Sequence, residues 1–192
     1  MILGAFRRTH HNRNIHALYG AIVAQARSPA FYGALGVPDT VEGRFKLIVL
    51  HLVLVLARLA SGDDGTRGAK ANRAAGQQLF DAFCRDLDHN LREMGTGDLA
   101  VPREMRHFGE AFYGRQAAYG AALIVAGAPE LENALARNIF GLAGTEDNAA
   151  RLARYVRAVV SWLEALDLEG LVAGGAAFPN PETFAHARTS SR

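Results

Sequence analysis

Arg44, His51 and Arg58 recur at every seventh position of a stretch, 41–60, that is otherwise almost wholly apolar. On a helix the three fall within about 40° of one another, while Phe45, Ile48, Val49, Leu52, Val53, Leu56 and Leu59 cover most of the remaining circumference. An imidazole between two guanidiniums can serve three chemistries: a histidine hydrogen-bonded inside the core, an edge that binds a partner, or a ligand or metal site. Burying such a seam costs free energy unless partners satisfy it, so the polar groups around His51 decide between them.

A second polar set occupies 81–92. Asp81 precedes Arg85 by four residues and Asp88 precedes Arg92 by four, the order that favours helical ion pairs and suits the helix dipole. The neighbouring arginines keep both carboxylates ionised, which unsuits them as general acids. Arg115 stands in the apolar stripe Met105, Phe108, Phe112, Tyr119, Ala122, Ala126, where a hydrophobe is expected. Its stem packed in the core, with the guanidinium clamped by Asp81 or Asp88, would satisfy both ends; the competing reading is a recognition role.

Other chemistry finds little support. No G-x-S-x-G, H-E-x-x-H, Walker lysine or G-x-G-x-x-G is present. His107 and Glu110 share a helical face but lack a third ligand, and His10, His11 and His16 read as part of a basic tail, so neither metal nor cofactor is expected. The lone Cys84 excludes an internal disulfide and reads as packing.

The elements that must position these groups are helical. Of 192 residues 49% are apolar and 21% charged, with 20 Gly and 6 Pro, which excludes wholesale disorder and describes one globular domain. Helices are expected over 15–27 with Asn14 as cap, from Asp39 or Thr40 to about 60, over 69–94, from Pro102 to 126, from Pro129 to 140 and over 148–166. Residues 61–68 read as the clearest loop. Gly95 is suited to a left-handed helix end, Gly97 to close backbone approach, and Asp98 to bracing the turn. The predicted architecture is all-α, a single-domain bundle of about six helices around the central apolar helix 41–60. Residues 1–14 read as a flexible basic segment, 15–174 as the helical domain, and 175–192 as a docking segment (FPNPETF) and tail.

Charge is unevenly spread. Residues 1–58 hold seven Arg or Lys against two acids, net +5, and 59–192 hold fourteen against seventeen, net −3. The amino-terminal part therefore suits an anionic partner. The run 47–57 is about half the length needed to cross a bilayer and reads as a buried helix. No secretory leader is evident, so the expected setting is cytoplasmic, with peripheral contact at the inner face of the membrane.

Together these residues resemble the ubiquinol-cytochrome c chaperone family. The similarity runs from Phe31 to about Leu123: Phe31-Tyr32, VPDT at 37–40, Gly43-Arg44-Phe45, His51, QLFD at 78–81, Asp86-Leu87-Asp88, LREMGTGDL at 91–99 and EAFYGRQAAY at 110–119. The LREMG-x-GD and FYGR motifs are specific in combination. The resemblance implies a non-enzymatic, helical assembly factor holding newly made cytochrome b for the bc1 complex, in mitochondria with a small protein partner near the ribosomal exit tunnel. It implies that Arg44, His51, Asp81, Asp88, Arg92, Glu93, Gly95, Gly97, Asp98, Phe112, Tyr113, Gly114 and Arg115 belong to a shared scaffold or client face. Phe31, Tyr32 and the FYGR turn would offer aromatic contact, unless Phe31 and Tyr32 simply fill the core. The chain looks like a bacterial relative.

Two alternatives make different predictions. A small-ligand-binding protein or enzyme requires His51, Asp88 and Arg115 to converge in a pocket with spare polar groups. An RNA-binding module requires a compact cluster of Arg7, Arg8, Arg13 and Arg44, and no RNA-reading motif or DNA-binding signature accompanies those residues.

Overall fold

The computed structural model describes residues 2–61, 67–125, 129–141, 145–172 and 177–186. Helix α1 spans Ile2–Ala26, α2 Pro29–Gly33, α3 Val41–Ala60, α4 Arg67–Glu93, α5 Val101–Ile124, α6 Glu130–Leu135, α7 Glu146–Ala165 and α8 Leu168–Val172. The six expected helices are present, α6 continuing as a π turn over Ala136–Phe140, and the short α2 and α8 are added to them. No strand occurs among the described residues.

Helix α1 differs from expectation at its start. Nothing between Ile2 and Ala26 breaks a helix, so the backbone is helical from Ile2 and Asn14 lies inside it instead of capping it. Pro29 cannot continue α1 and instead opens α2 at its first turn. The expected loop over 61–68 falls mostly outside the described residues.

Helix α3 is the axis of the bundle. Every residue from Val49 to Val55 is buried, because α1, α4, α5, α7 and the π turn all pack around it. Its start is fixed by two local devices. Thr40 adopts extended backbone and its Oγ1 accepts the Gly43 amide at 3.0 Å, while Asp39, the other candidate cap, turns to Arg44. Gly43 then passes so close to the preceding loop that a Cβ would sit 2.0 Å from the Pro38 carbonyl oxygen. Gly43→Ala is therefore expected to destabilise the chain by about 2–3 kcal/mol in urea denaturation. Gly114→Ala, where a Cβ meets nothing within 4 Å, gains up to about 1 kcal/mol of helix propensity by the same measurement.

The turn from α4 to α5 follows from Gly95. At φ +83° it lets the Thr96 amide reach Leu91 O and its own amide reach Arg92 O, both at 3.0 Å, the paired bonds of a left-handed helix end. Arg92 straps the turn by bonding Asp88 within α4 at 2.8 Å and Asp98 beyond it. Gly97 has no close neighbour where a Cβ would stand, so the expected close approach there is absent; its carbonyl accepts the Ala100 and Val101 amides instead.

The described carboxy-terminal segment, 177–186, lies against the body. Phe178 packs on His51 and on Trp162, with ring centroids 5.5 and 5.0 Å apart, and Phe184 packs on Tyr155 at 5.8 Å. Arg151 and Arg154 of α7 donate to the carbonyls of Ala185 and His186 at 3.3 and 2.9 Å.

Candidate functional site

The polar seam of α3 resolves into three separate duties. Arg44, near the start of the helix, bonds Asp39 at 2.7 Å and lies 5.3 Å above the Tyr32 ring. Arg58, near its end, donates to the carbonyls of Leu163 and Leu166 at 2.7 and 2.9 Å, neutralising the negative end of α7. His51 is fully buried between them.

A relay satisfies His51 completely. Its Nδ1 donates to Leu47 O at 2.7 Å, so in the neutral ring Nε2 must accept, and Tyr155 donates to it at 2.7 Å. The Tyr155 oxygen in turn accepts Nε2–H of Gln25 at 3.0 Å, and the same Gln25 nitrogen bonds Pro179 O at 3.0 Å. Helices α1, α3 and α7 and the carboxy-terminal segment are thereby joined. Burial pushes the His51 pKa down to about 4, which holds the ring neutral as the relay requires. Phe31 is likewise buried, standing edge-on to His51 at 5.5 Å and to Tyr155 at 5.0 Å. Tyr32 is half-buried, its hydroxyl donating to Ala26 O at 2.5 Å. The core reading of Phe31 is the one the structure supports.

The expected Arg115 clamp does not form. Asp81 accepts from Gln77 at 2.8 Å and Asp88 from Arg92 at 2.8 Å, each engaged by a neighbour on its own helix. Local i,i+4 partners thus claim both carboxylates. Arg115 keeps its Nε buried without a hydrogen bond, and its charge adds a small part to the lowering of the Glu42 carboxyl, which is held low chiefly by Lys46. The pocket postulated around His51, Asp88 and Arg115 is absent for the same reasons: His51 is sealed by the relay, and Asp88 lies on an exposed face bound to Arg92. Glu93 faces His89 at 3.1 Å on that surface. Burial raises the Cys84 thiol pKa, the opposite of what a nucleophile needs. Among the described residues no group of three or more His, Cys, Asp or Glu is placed to hold a metal.

What the surface offers is a groove. Leu56, Leu59 and Ala60 of α3 form its floor, Asn72, Arg73, Gly76, Gln77 and Phe80 of α4 one wall, and Phe112, Tyr113 and Gln116 of α5 the other; its volume is about 210 Å³. Gly76 permits it, since α4 contributes no side chain over Leu56 and Leu59 at that position. Phe112 is buried against Phe80, with centroids 5.0 Å apart, whereas Tyr113 stands 61% exposed at the rim. Beyond Tyr113 the exposed face of α5 carries Gly114, Ala117, Gly120 and Ala121, all small, and then Ile124. This apolar floor, rimmed by amides, Tyr113 and Arg73 and continuous with a smooth helical face, can receive another chain's apolar helix at close range. Of the FYGR motif, Phe112 anchors the wall, Tyr113 and Gly114 face outward, and Arg115 turns inward. The groove's α3 and α4 residues were not anticipated as site residues; Gly76, opposite large aliphatics in a helical stripe, was the signal.

A helical bundle with its buried histidine sealed in a relay and an open groove with an apolar floor defines a binding scaffold. The family profile described as ubiquinol-cytochrome C chaperone matches residues 33–178, and the chain belongs to that family. Its fold is also that of the crystal structure of the Cbp3 homolog from Brucella abortus, with 37% sequence identity and a TM-score of 0.81 over 95% of this chain and 98% of that one. No curated protein matches the sequence. The chain is accordingly a non-catalytic chaperone of the assembly-factor type.

Proposed function

We propose that the chain holds a membrane-protein client, cytochrome b of the ubiquinol-cytochrome c reductase complex, with one of its apolar helices seated along the α4–α5 groove and the small-residue face of α5. The family membership supports the client class, and the exposed Tyr113 above an apolar floor supports the place. None of the described helices is long and apolar enough to cross a membrane, so the chain would meet its client from beside the bilayer.

A photocrosslinking residue placed at Tyr113 is expected to capture cytochrome b in cells making the complex, and one placed at the exposed Arg137, away from the groove, is not. Equal capture at both positions, or none at Tyr113 while the tagged wild-type chain still co-purifies cytochrome b, would sink the groove assignment. Failure of the wild-type chain to co-purify it at all would sink the client.

A further inference from the structure

The carboxy-terminal strap, 177–186, is held by the body of the chain as a peptide is held by a receptor. Among the described residues, every hydrogen bond between the two runs from a side chain of the body to a main-chain carbonyl of the strap. Gln25 donates to Pro179 O at 3.0 Å, Arg151 to Ala185 O at 3.3 Å, and Arg154 to Phe184 O and His186 O at 3.4 and 2.9 Å. Such bonds are blind to sequence, so the strap's larger side chains are read at three places only. Phe178 meets His51 and Trp162, Phe184 meets Tyr155, and Pro181 is buried, whereas Asn180, Glu182 and Thr183 are exposed. The three anchors are spaced by three, the repeat of the polyproline and 3-10 conformations, and therefore fall on one edge. The strap also shapes itself: Asn180 accepts the Glu182 amide, and the turn Pro181–Phe184 closes on carbonyls of its own segment.

We propose that this surface is a peptide-recognition site, with the strap as its resident ligand in cis. The partner it fits is a segment carrying two aromatics around a proline at this spacing, with an acidic residue just after the second aromatic. An aromatic lining beside donors aimed at main-chain carbonyls is how proline-rich segments are recognised. The acidic preference follows from Arg151 and Arg154. Neither forms an ion pair among the described residues; apart from Asn148, which Arg151 also bonds, both give their donors to neutral carbonyls, and Arg151 Nε is buried with no acceptor. A carboxylate there would make a charge-assisted bond that the strap, with His186 at that position, does not. That difference is what would let a partner displace a ligand carried at high effective concentration by the chain itself. Replacement also keeps the relay whole, because any segment with a carbonyl at the Pro179 position serves Gln25. None of these residues lines the α4–α5 groove, so the site is independent of the client reading.

The test adds a synthetic peptide of residues 177–186 to the full-length chain. Binding is followed by polarisation of a labelled peptide and, with unlabelled peptide, by the emission of Trp162, the sole tryptophan. On a Phe178→Ala/Phe184→Ala chain, whose own strap is weakened, the peptide is expected to bind saturably. On wild type it binds at least about tenfold more weakly, because the strap competes. A His186→Asp peptide is expected to bind about fivefold more tightly than the parent, a Thr183→Ala peptide equally, and a Phe178→Ala/Phe184→Ala peptide not at all. Thermal melts establish that the chain is folded, and Phe184→Ala alone replaces a double variant that is not. Absence of saturable binding to the folded variant, equal binding to wild type, or indifference to loss of the peptide's two phenylalanines overturns the site. An unchanged affinity with His186→Asp overturns the acidic preference. Loss of binding on adding Tyr113→Ala to the chain places the peptide in the groove and overturns the site equally.

Discussion

Between pH 6.5 and pH 4 the folded chain is expected to lose about 3 kcal/mol of stability through His51 alone. The unfolded histidine takes a proton near 6.5, while the buried ring resists until about 4. Below pH 6.5 the unfolded state therefore binds more protons, and stability falls with pH until both states are protonated. Above pH 6.5 the ring is neutral in both states and its contribution is constant. Protonation would also leave Nε2 a donor facing the Tyr155 hydroxyl, which would then have to give up its own donation. Urea denaturation across this range, for wild type and His51→Gln, isolates the effect because carboxylate titrations cancel in the difference. The stability gap between the two proteins should shrink by about 3 kcal/mol on acidification; a gap independent of pH would show that the ring is not held neutral.

Phe31→Ala is expected to cost about 3–5 kcal/mol, enough to unfold a large fraction of a chain of ordinary stability. The ring is fully buried, edge-on to both His51 and Tyr155, and its backbone carbonyl accepts the Val37 amide that closes the following loop. Tyr113→Ala, by contrast, removes a ring whose neighbours Phe80 and Phe112 already pack on each other, and should change stability by less than about 1 kcal/mol. Client capture discriminates their roles. Loss on Tyr113→Ala with an unchanged melting temperature marks a contact surface, while loss on Phe31→Ala should track the unfolded fraction. A folded, stable Phe31→Ala chain would contradict the burial described above.

These contrasts show which parts of the molecule were legible in the amino-acid sequence. Helix α3 was, because an apolar run that wraps the whole circumference has nowhere to go but the centre. So was Gly95, whose place after an amphipathic stripe leaves few options other than a left-handed end. His51 was recognisable as a group needing partners, but Tyr155 lies 104 residues away, and its register opposite α3 depends on how two helices cross. Arg115 was misplaced for a related reason. The clamp assumed that Asp81 and Asp88 were free for a partner across the bundle, whereas Gln77 and Arg92 reach them first along their own helix. Phe31 and Tyr32 belong to one dipeptide, yet only the turn of α2 decides that one ring enters the core and the other shelters an arginine. The groove was least visible, since it is defined by residues from three helices and by the side chain Gly76 lacks.

The placement of 177–186 bears on the order in which the molecule is completed during its synthesis. Phe178 and Pro179 supply the last wall and the last acceptor of the His51 relay. A growing chain must therefore pass through a stage in which α1, α3 and α7 have been made but the imidazole between them is still open to water. Closure waits for Phe178 and Pro179, so a chain that stalls or is clipped before them carries an unfinished core into a cell whose proteases read such exposure as damage. Only a copy made through Pro179 holds every partner of the relay.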